Sequence, residues 1–246
     1  MLSKSYDVIA GILAGLGVLL IYYFSALAIS EDILPRSYEY IFNLAVAVIG
    51  AFAGAFAAFR FQAYREFKER LKSKTDTLNR ALFVIGSQIN AILLIKRDIE
   101  PWRENPSAFV EMPAILGSDY AELKIDVMAL QFLLDHEANL LFELSILQQK
   151  FEATIRIAKI RSSFHINHLQ PALSDAKYND RHPTLPNVAA AVGERIAVTA
   201  YKSTNDVFEM VDSTLKALEE EMGNLRRIAI EYFPGPKYIG FEFDGI

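Results

Sequence analysis

Two stretches near the start of the chain carry no polar period at all. Val8 to Ile29 is a run of 22 residues without a charge, and Tyr40 to Phe59 is a second of 20. An α-helix rises about 1.5 Å per residue, so about 20 residues cross a hydrocarbon layer about 30 Å thick. The pattern predicts two transmembrane helices joined by a short loop. Beyond Arg60 the pattern changes to a helical period. Leu71 is followed by Leu78, Leu82, Ile85, Ile89, Ile92 and Ile99, with Lys96 in the slot between the last two, a repeat of about 3.5 residues. The second span therefore runs on as one helix as far as Pro101.

The following stretch, 101–118, holds Pro101, Pro106, Pro113 and Gly117 and reads as irregular. Ser118 is a candidate N-cap for a helix from about Asp119 to Leu134. A longer helix is expected next, with Leu140, Leu144, Leu147, Phe151, Ile155 and Ala158 on one face, ending near Leu169 before Pro171. After a polar loop, 174–187, a last helix is expected from Asn187 to Tyr232. Its apolar stripe is Val188, Val192, Ile196, Val207, Met210, Leu218, Leu225 and Ile228. Pro234-Gly235-Pro236 then breaks the pattern. The fold class is all-α: a two-helix transmembrane hairpin over 1–59, an elongated helical bundle over 60–233 that buries its stripes by side-by-side packing, and an irregular apolar tail over 234–246.

Composition fits this division. The 246 residues have a net charge of −5, and no cysteine, which removes disulfides and cysteine-based metal or thiol chemistry. A mean hydropathy of +0.18 lies between soluble proteins and polytopic transporters. The acidic balance argues against a dedicated nucleic-acid binder, and direct nucleic-acid contact is not expected.

Charge also orients the hairpin. The segment 31–39 holds one basic residue, Arg36, whereas 60–74 holds six against two acids. By the positive-inside rule the C-terminal part and Met1 both lie in the cytoplasm. Arg60, Arg65, Lys68 and Arg70 are the candidate membrane-interface residues, since anionic headgroups attract such a segment. Ser25-Ala26-Leu27-Ala28 has the small residues of a signal-peptidase site, but the apolar run is long for a signal and Lys4 is offset by Asp7.

Small residues recur at helical spacing within both runs. Gly11 and Gly15 lie in the first, and Gly50 and Gly54 in the second, extended by Ala47, Ala51 and Ala58. Such stripes let helices approach closely in lipid, either within the hairpin or between protomers of a homo-oligomer. Neither run contains an ionisable residue, so the proton relays and ion sites of pumps and coupled transporters are not expected.

Candidate chemistry in the remaining chain is thin. His165 and His168 stand three apart on a helix but have no acidic neighbour on that turn, so metal binding is not expected. Phosphate-binding glycine loops, HExxH and G-x-S-x-G motifs are absent, and no catalytic residue, cofactor or enzymatic activity is expected. A basic stretch, Lys150, Arg156, Lys159 and Arg161, has a complement in the acids of the last helix: Asp206, Glu209, Asp212 and Glu219 to Glu221. Trp102 and the tail residues Tyr238, Phe241 and Phe243 either close the bundle or anchor a partner.

The charge-poor hairpin, with Gly50-Ala-Phe-Ala-Gly54 running into Arg60 and Arg65, resembles the two-transmembrane effectors of bacterial anti-phage systems, including those associated with retrons. The resemblance implies a toxic inner-membrane protein that acts physically, held silent through a cytoplasmic protein or protein–nucleic-acid partner until infection. A membrane-anchored adaptor that recruits a cytoplasmic partner is the alternative.

Overall fold

In a computed structural model of the chain, residues 2–31, 38–115, 120 and 122–240 are described, with side chains described from residue 15 onward and not at 38–40 or 42. The described residues are helical throughout their regular structure and contain no strand. They divide into two compact units, Met1–Leu71 and Lys72–Ile246.

The first unit holds α1, Leu2–Ser30, and the first half of α2, Tyr38–Ile99. Sixty-two residues form α2 without an internal proline, and leucine, alanine, glutamate and lysine supply most of its helical preference. Helix α1 ends where Ser30 Oγ donates to the carbonyl of Leu27 at 2.8 Å, a local bond that competes with the backbone ladder.

In the second unit the remainder of α2 buries the heptad seam. Leu78, Leu82, Ile85, Ile92 and Ile99 are fully enclosed and Ile89 nearly so. Helix α3, Ala108–Glu111, is a single turn within the proline-rich stretch, and Glu100–Trp102 is a 3₁₀ turn, so that stretch is less irregular than its composition suggests. Helices α4, Ala138–Phe164, and α7, Glu194–Tyr232, pack lengthwise. Their seam is largely apolar, crossed by a buried hydroxyl pair, Thr154 and Thr214, at 2.8 Å, and by Arg161, whose Nε donates to Thr204 Oγ1 at 3.4 Å. Helix α5, Gln170–Asp175, and α6, Leu185–Val192, close one end with Phe109 of α3 around Leu169, Leu173, Val188, Ala197 and Ala200.

Three expectations are corrected here. The helix expected from 119 to 134 is not an α-helix: the described part has a 3₁₀ turn, Met128–Leu133, after an irregular stretch. Side chains take the backbone groups that a helix would use. Gln148 Oε1 accepts from Ile125 N–H at 3.0 Å, Gln88 Nε2 donates to the Leu123 carbonyl at 2.8 Å, and Asp126 accepts from Ala129 N–H at 3.0 Å. The N-cap assigned to Ser118 lies outside the described residues.

The other two concern helix ends. The helical run of α4 does not stop before Pro171 but passes through a π turn, His165–Leu169, into α5. Proline lacks an N–H and crowds the carbonyl four residues back, and a widened turn accommodates both. The last helix is two: Gly193, at φ +91° and ψ 146°, separates α6 from α7 in a conformation that side chains rarely adopt. Thr184 and Pro186 start α6 two residues earlier than Asn187, the proline sitting in the first turn where its missing N–H costs nothing.

Candidate functional site

The apolar part of α2 is the most distinctive surface of the first unit. A stretch of 18 residues within Asn43–Trp102 reaches a mean hydropathy of 2.0 with none of it buried, and it is the one helix among the described residues apolar and long enough to cross a membrane. The described apolar part of α1, Gly15–Ser30, is shorter. Phe52 and Phe59 are each 74% exposed, and Leu16, Leu19, Leu20, Tyr22, Tyr23 and Phe24 are likewise open. Bare, these faces would forfeit about 25 cal/mol for every Å² of apolar surface left in water. Both helices are compatible with membrane association.

The small-residue stripes are open as well. A Cβ added at Gly15, Gly50 or Gly54 would meet nothing within 4 Å, and Ala47, Ala51 and Ala58 are exposed. The side chain positions around Gly11 lie outside the described residues. Among the described residues no side chain fills the Gly50/Gly54 stripe.

Where the apolar run ends, cations lean back on aromatic rings. Arg60 lies 5.4 Å from the ring centre of Phe56, and the Lys68 ammonium lies 5.3 Å from that of Tyr64. Arg65 pairs with Glu69 at 2.8 Å, and the carboxylate's hydrogen bond and charge raise the guanidinium pKa. Arg70 is exposed.

The basic stretch of α4 does not hold together as a surface. Arg161 is 1% exposed and points into the bundle, where it donates to the carbonyls of Met112 and Pro113, both at 2.6 Å. Burial lowers its pKa to about 10, so it stays charged at neutral pH. Ser162 adds a third tie to the same loop, its hydroxyl accepting from Ile115 N–H at 2.9 Å. Lys150 donates to the Ser213 carbonyl at 2.8 Å, while Arg156 and Lys159 are exposed. The acids of α7 meet other cations: Asp212 lies 2.8 Å from Arg103 and 3.7 Å from Lys96, the heptad lysine. Lys96, Glu100, Arg103, Asp212, Lys216 and Glu219 surround an open, mixed-charge hollow of about 430 Å³.

The histidines separate. His165 is buried, its Nε2 3.1 Å from the Gln170 amide nitrogen, whereas His168 is exposed and tilts against Phe164. Burial, and then the nearby Arg161 charge, push the His165 pKa down to about 4. No group of three metal-ligating side chains occurs among the described residues. His136 stacks on Tyr232 at 4.4 Å, with Phe233 beside it, and Lys74 lies over the rings of Phe132 and Phe233. His182 is exposed in a loop organised by Asp180.

Trp102 is half-buried in the 3₁₀ turn after α2. The described tail folds back on α2: Asn79 donates to the Lys237 carbonyl at 3.2 Å and accepts from Ile239 N–H at 3.0 Å. Tyr238 is half-buried and donates to the Phe233 carbonyl at 2.9 Å. Phe241 and Phe243 lie outside the described residues. Arg161, Gln88 and Gln148, the polar groups that hold the irregular segments, have no signature in sequence beyond sitting on otherwise apolar helix faces.

No protein-family model, curated protein or solved structure matches the chain.

Proposed function

We propose that this protein is an oligomerising effector of the bacterial inner membrane. Its two apolar helices cross the bilayer with both termini in the cytoplasm, and a cytoplasmic partner engages the helical bundle to trigger permeabilisation. The observation that carries this reading is an 18-residue apolar stretch of α2 with none of it buried, beside a Gly50/Gly54 stripe that no described side chain fills. A stripe unfilled within one chain suits contact with the same stripe of a second copy, since small residues let helices approach closely in lipid. Two helices cannot line a pore, so conduction requires several protomers. The layout shared with retron-associated effectors adds anti-phage defence as the setting.

The test is propidium uptake and membrane potential after induced expression in a bacterial host, comparing wild type with Gly54→Leu. Among the described residues, nothing lies within 4 Å of a Cβ at Gly54. Loss of depolarisation at unchanged expression therefore points to contact between copies, and equal depolarisation by both proteins rejects the Gly54 interface.

A membrane-anchored adaptor is the second reading. It is favoured by apolar side chains open on the bundle itself, among them Phe83, Phe142, Ile146 and Ile160. No depolarisation from either protein, with Phe142→Asp abolishing recovery of a defined cytoplasmic partner, would support it.

A further inference from the structure

The first turns of α2 beyond its apolar run carry an asymmetry that membrane orientation alone does not require. With about 100° of rotation per residue, Arg60, Phe61, Tyr64, Arg65, Phe67 and Lys68 fall within an arc of about 160°. The acids Glu66 and Glu69 fall on the opposite side beside Gln62, where Arg70 is the one cation before Lys72. The positive-inside rule counts lysines and arginines near a span and is indifferent to their place around the helix. Nor does it call for aromatic residues among them.

The arc is open. Phe61 is 70% exposed, Phe67 61% and Tyr64 36%, and the three cations are exposed too. Two of those cations already sit against rings, Arg60 on Phe56 and Lys68 on Tyr64, so their charges are held close to the apolar boundary. Arg65 reaches round to Glu69, which neutralises the acid nearest the arc. At about 1.5 Å per residue, 60–68 spans about 12 Å, enough to cross a headgroup layer of about 5–8 Å.

We propose that this arc is a docking surface for anionic phospholipid headgroups of the cytoplasmic leaflet, with Arg60, Arg65 and Lys68 binding phosphate and Phe61, Tyr64 and Phe67 inserting at the acyl boundary. Charge complementarity and continuity with the apolar run favour lipid over a protein occupant, because aromatic rings placed among cations suit an interface that is apolar on one side and anionic on the other. This deepens the membrane reading above and rests on it.

The absence of cysteine allows one label per chain. Ala63→Cys, on the edge of the arc, is labelled with bimane and the full-length protein is reconstituted in phosphatidylcholine vesicles. Quenching is measured with a small fraction of doxyl-labelled phosphatidylglycerol or doxyl-labelled phosphatidylcholine. The expected result is a preference for the anionic quencher of about threefold or more, reduced in high salt and lost in the Arg60→Gln/Arg65→Gln/Lys68→Gln variant. Equal quenching by the two lipids at low salt overturns the proposal and leaves an acidic protein surface as the occupant. The same label at Phe52→Cys separates the two levels: quenching by both lipids there keeps the membrane reading, and quenching by neither rejects it along with the docking surface.

Discussion

The two units of this chain use the same apolar residues to opposite ends. In Lys72–Ile246, the heptad leucines and isoleucines of α2 are sealed against neighbouring helices; in Met1–Leu71, described ones such as Leu16, Leu19, Leu20, Ile41 and Leu44 stand open. One helix, α2, does both, and the change follows from pattern rather than composition. A heptad of apolar residues among charges can bury its seam in water by packing, whereas a charge-free run has no face to leave in water. Arginine shows the same contrast. Arg65 lies in solvent beside a local acid, while Arg161 is enclosed and answered by carbonyls.

That contrast can be broken first at arginine. Arg161→Ala leaves the buried Met112 carbonyl without its donor and empties a large enclosed site. It should cost about 4 kcal/mol, whereas Arg65→Ala, in open solvent, should leave the transition where it is. Thermal unfolding of the full-length chain in detergent, followed by circular dichroism, compares the two, and equal effects would remove the distinction.

Apolar truncation gives the next largest difference. Leu82→Ala should destabilise the bundle by about 3 kcal/mol, since that side chain is fully enclosed. Phe56→Ala should leave the same melting transition in place, because its ring packs against no core.

The pH response is also confined to the bundle. His165 has its pKa lowered from 6.5 to about 4 in the folded state, chiefly by burial. Between those values the unfolded chain binds more protons, so stability rises with pH. The contribution is complete above about pH 6.5 and is lost as pH falls toward 4, amounting to about 2 kcal/mol by pH 5. His165→Gln should flatten the denaturant midpoint between pH 7 and pH 5; an unchanged slope would show that other groups carry it.

The smallest effect concerns the tail. Asn79→Ala removes both hydrogen bonds to the backbone at Lys237 and Ile239 and should cost about 1 kcal/mol. Faster tryptic cleavage after Lys237, with the core still resistant, is the expected readout.

The all-helical class and the heptad seam of α2 were legible because periodicity reports which faces must leave water. The apolar stripes of α4, α6 and α7 were equally plain: Leu144, Leu147, Val188, Val207, Leu218, Leu225 and Ile228 are buried as their spacing predicts. Helix ends were less so. Pro171 looked like a stop but is absorbed by a π turn, and Gly193, inside the helix expected from Asn187 to Tyr232, adopts a positive φ that splits it.

Among candidate residues, the stripe at Gly50 and Gly54 was visible as spacing, but its openness within one chain was not. Tyr238 was expected to face either its own bundle or a partner, and the tertiary structure sets it against the bundle, where Asn79 holds the backbone on both sides of it.

The chain by itself determined where apolar surface is continuous, where it is periodic and where basic residues gather, because these depend on local order along a helix. Only the tertiary structure decided which polar groups go inside. Arg161, Gln88 and His165 look like surface residues in a helical pattern. Arg161 and Gln88 are buried against loop carbonyls from far away in sequence, those of Met112 and Leu123, whereas His165 meets the side-chain amide of Gln170 on its own helix run. A polar group can leave water only where a partner already waits, and no local pattern records that partner.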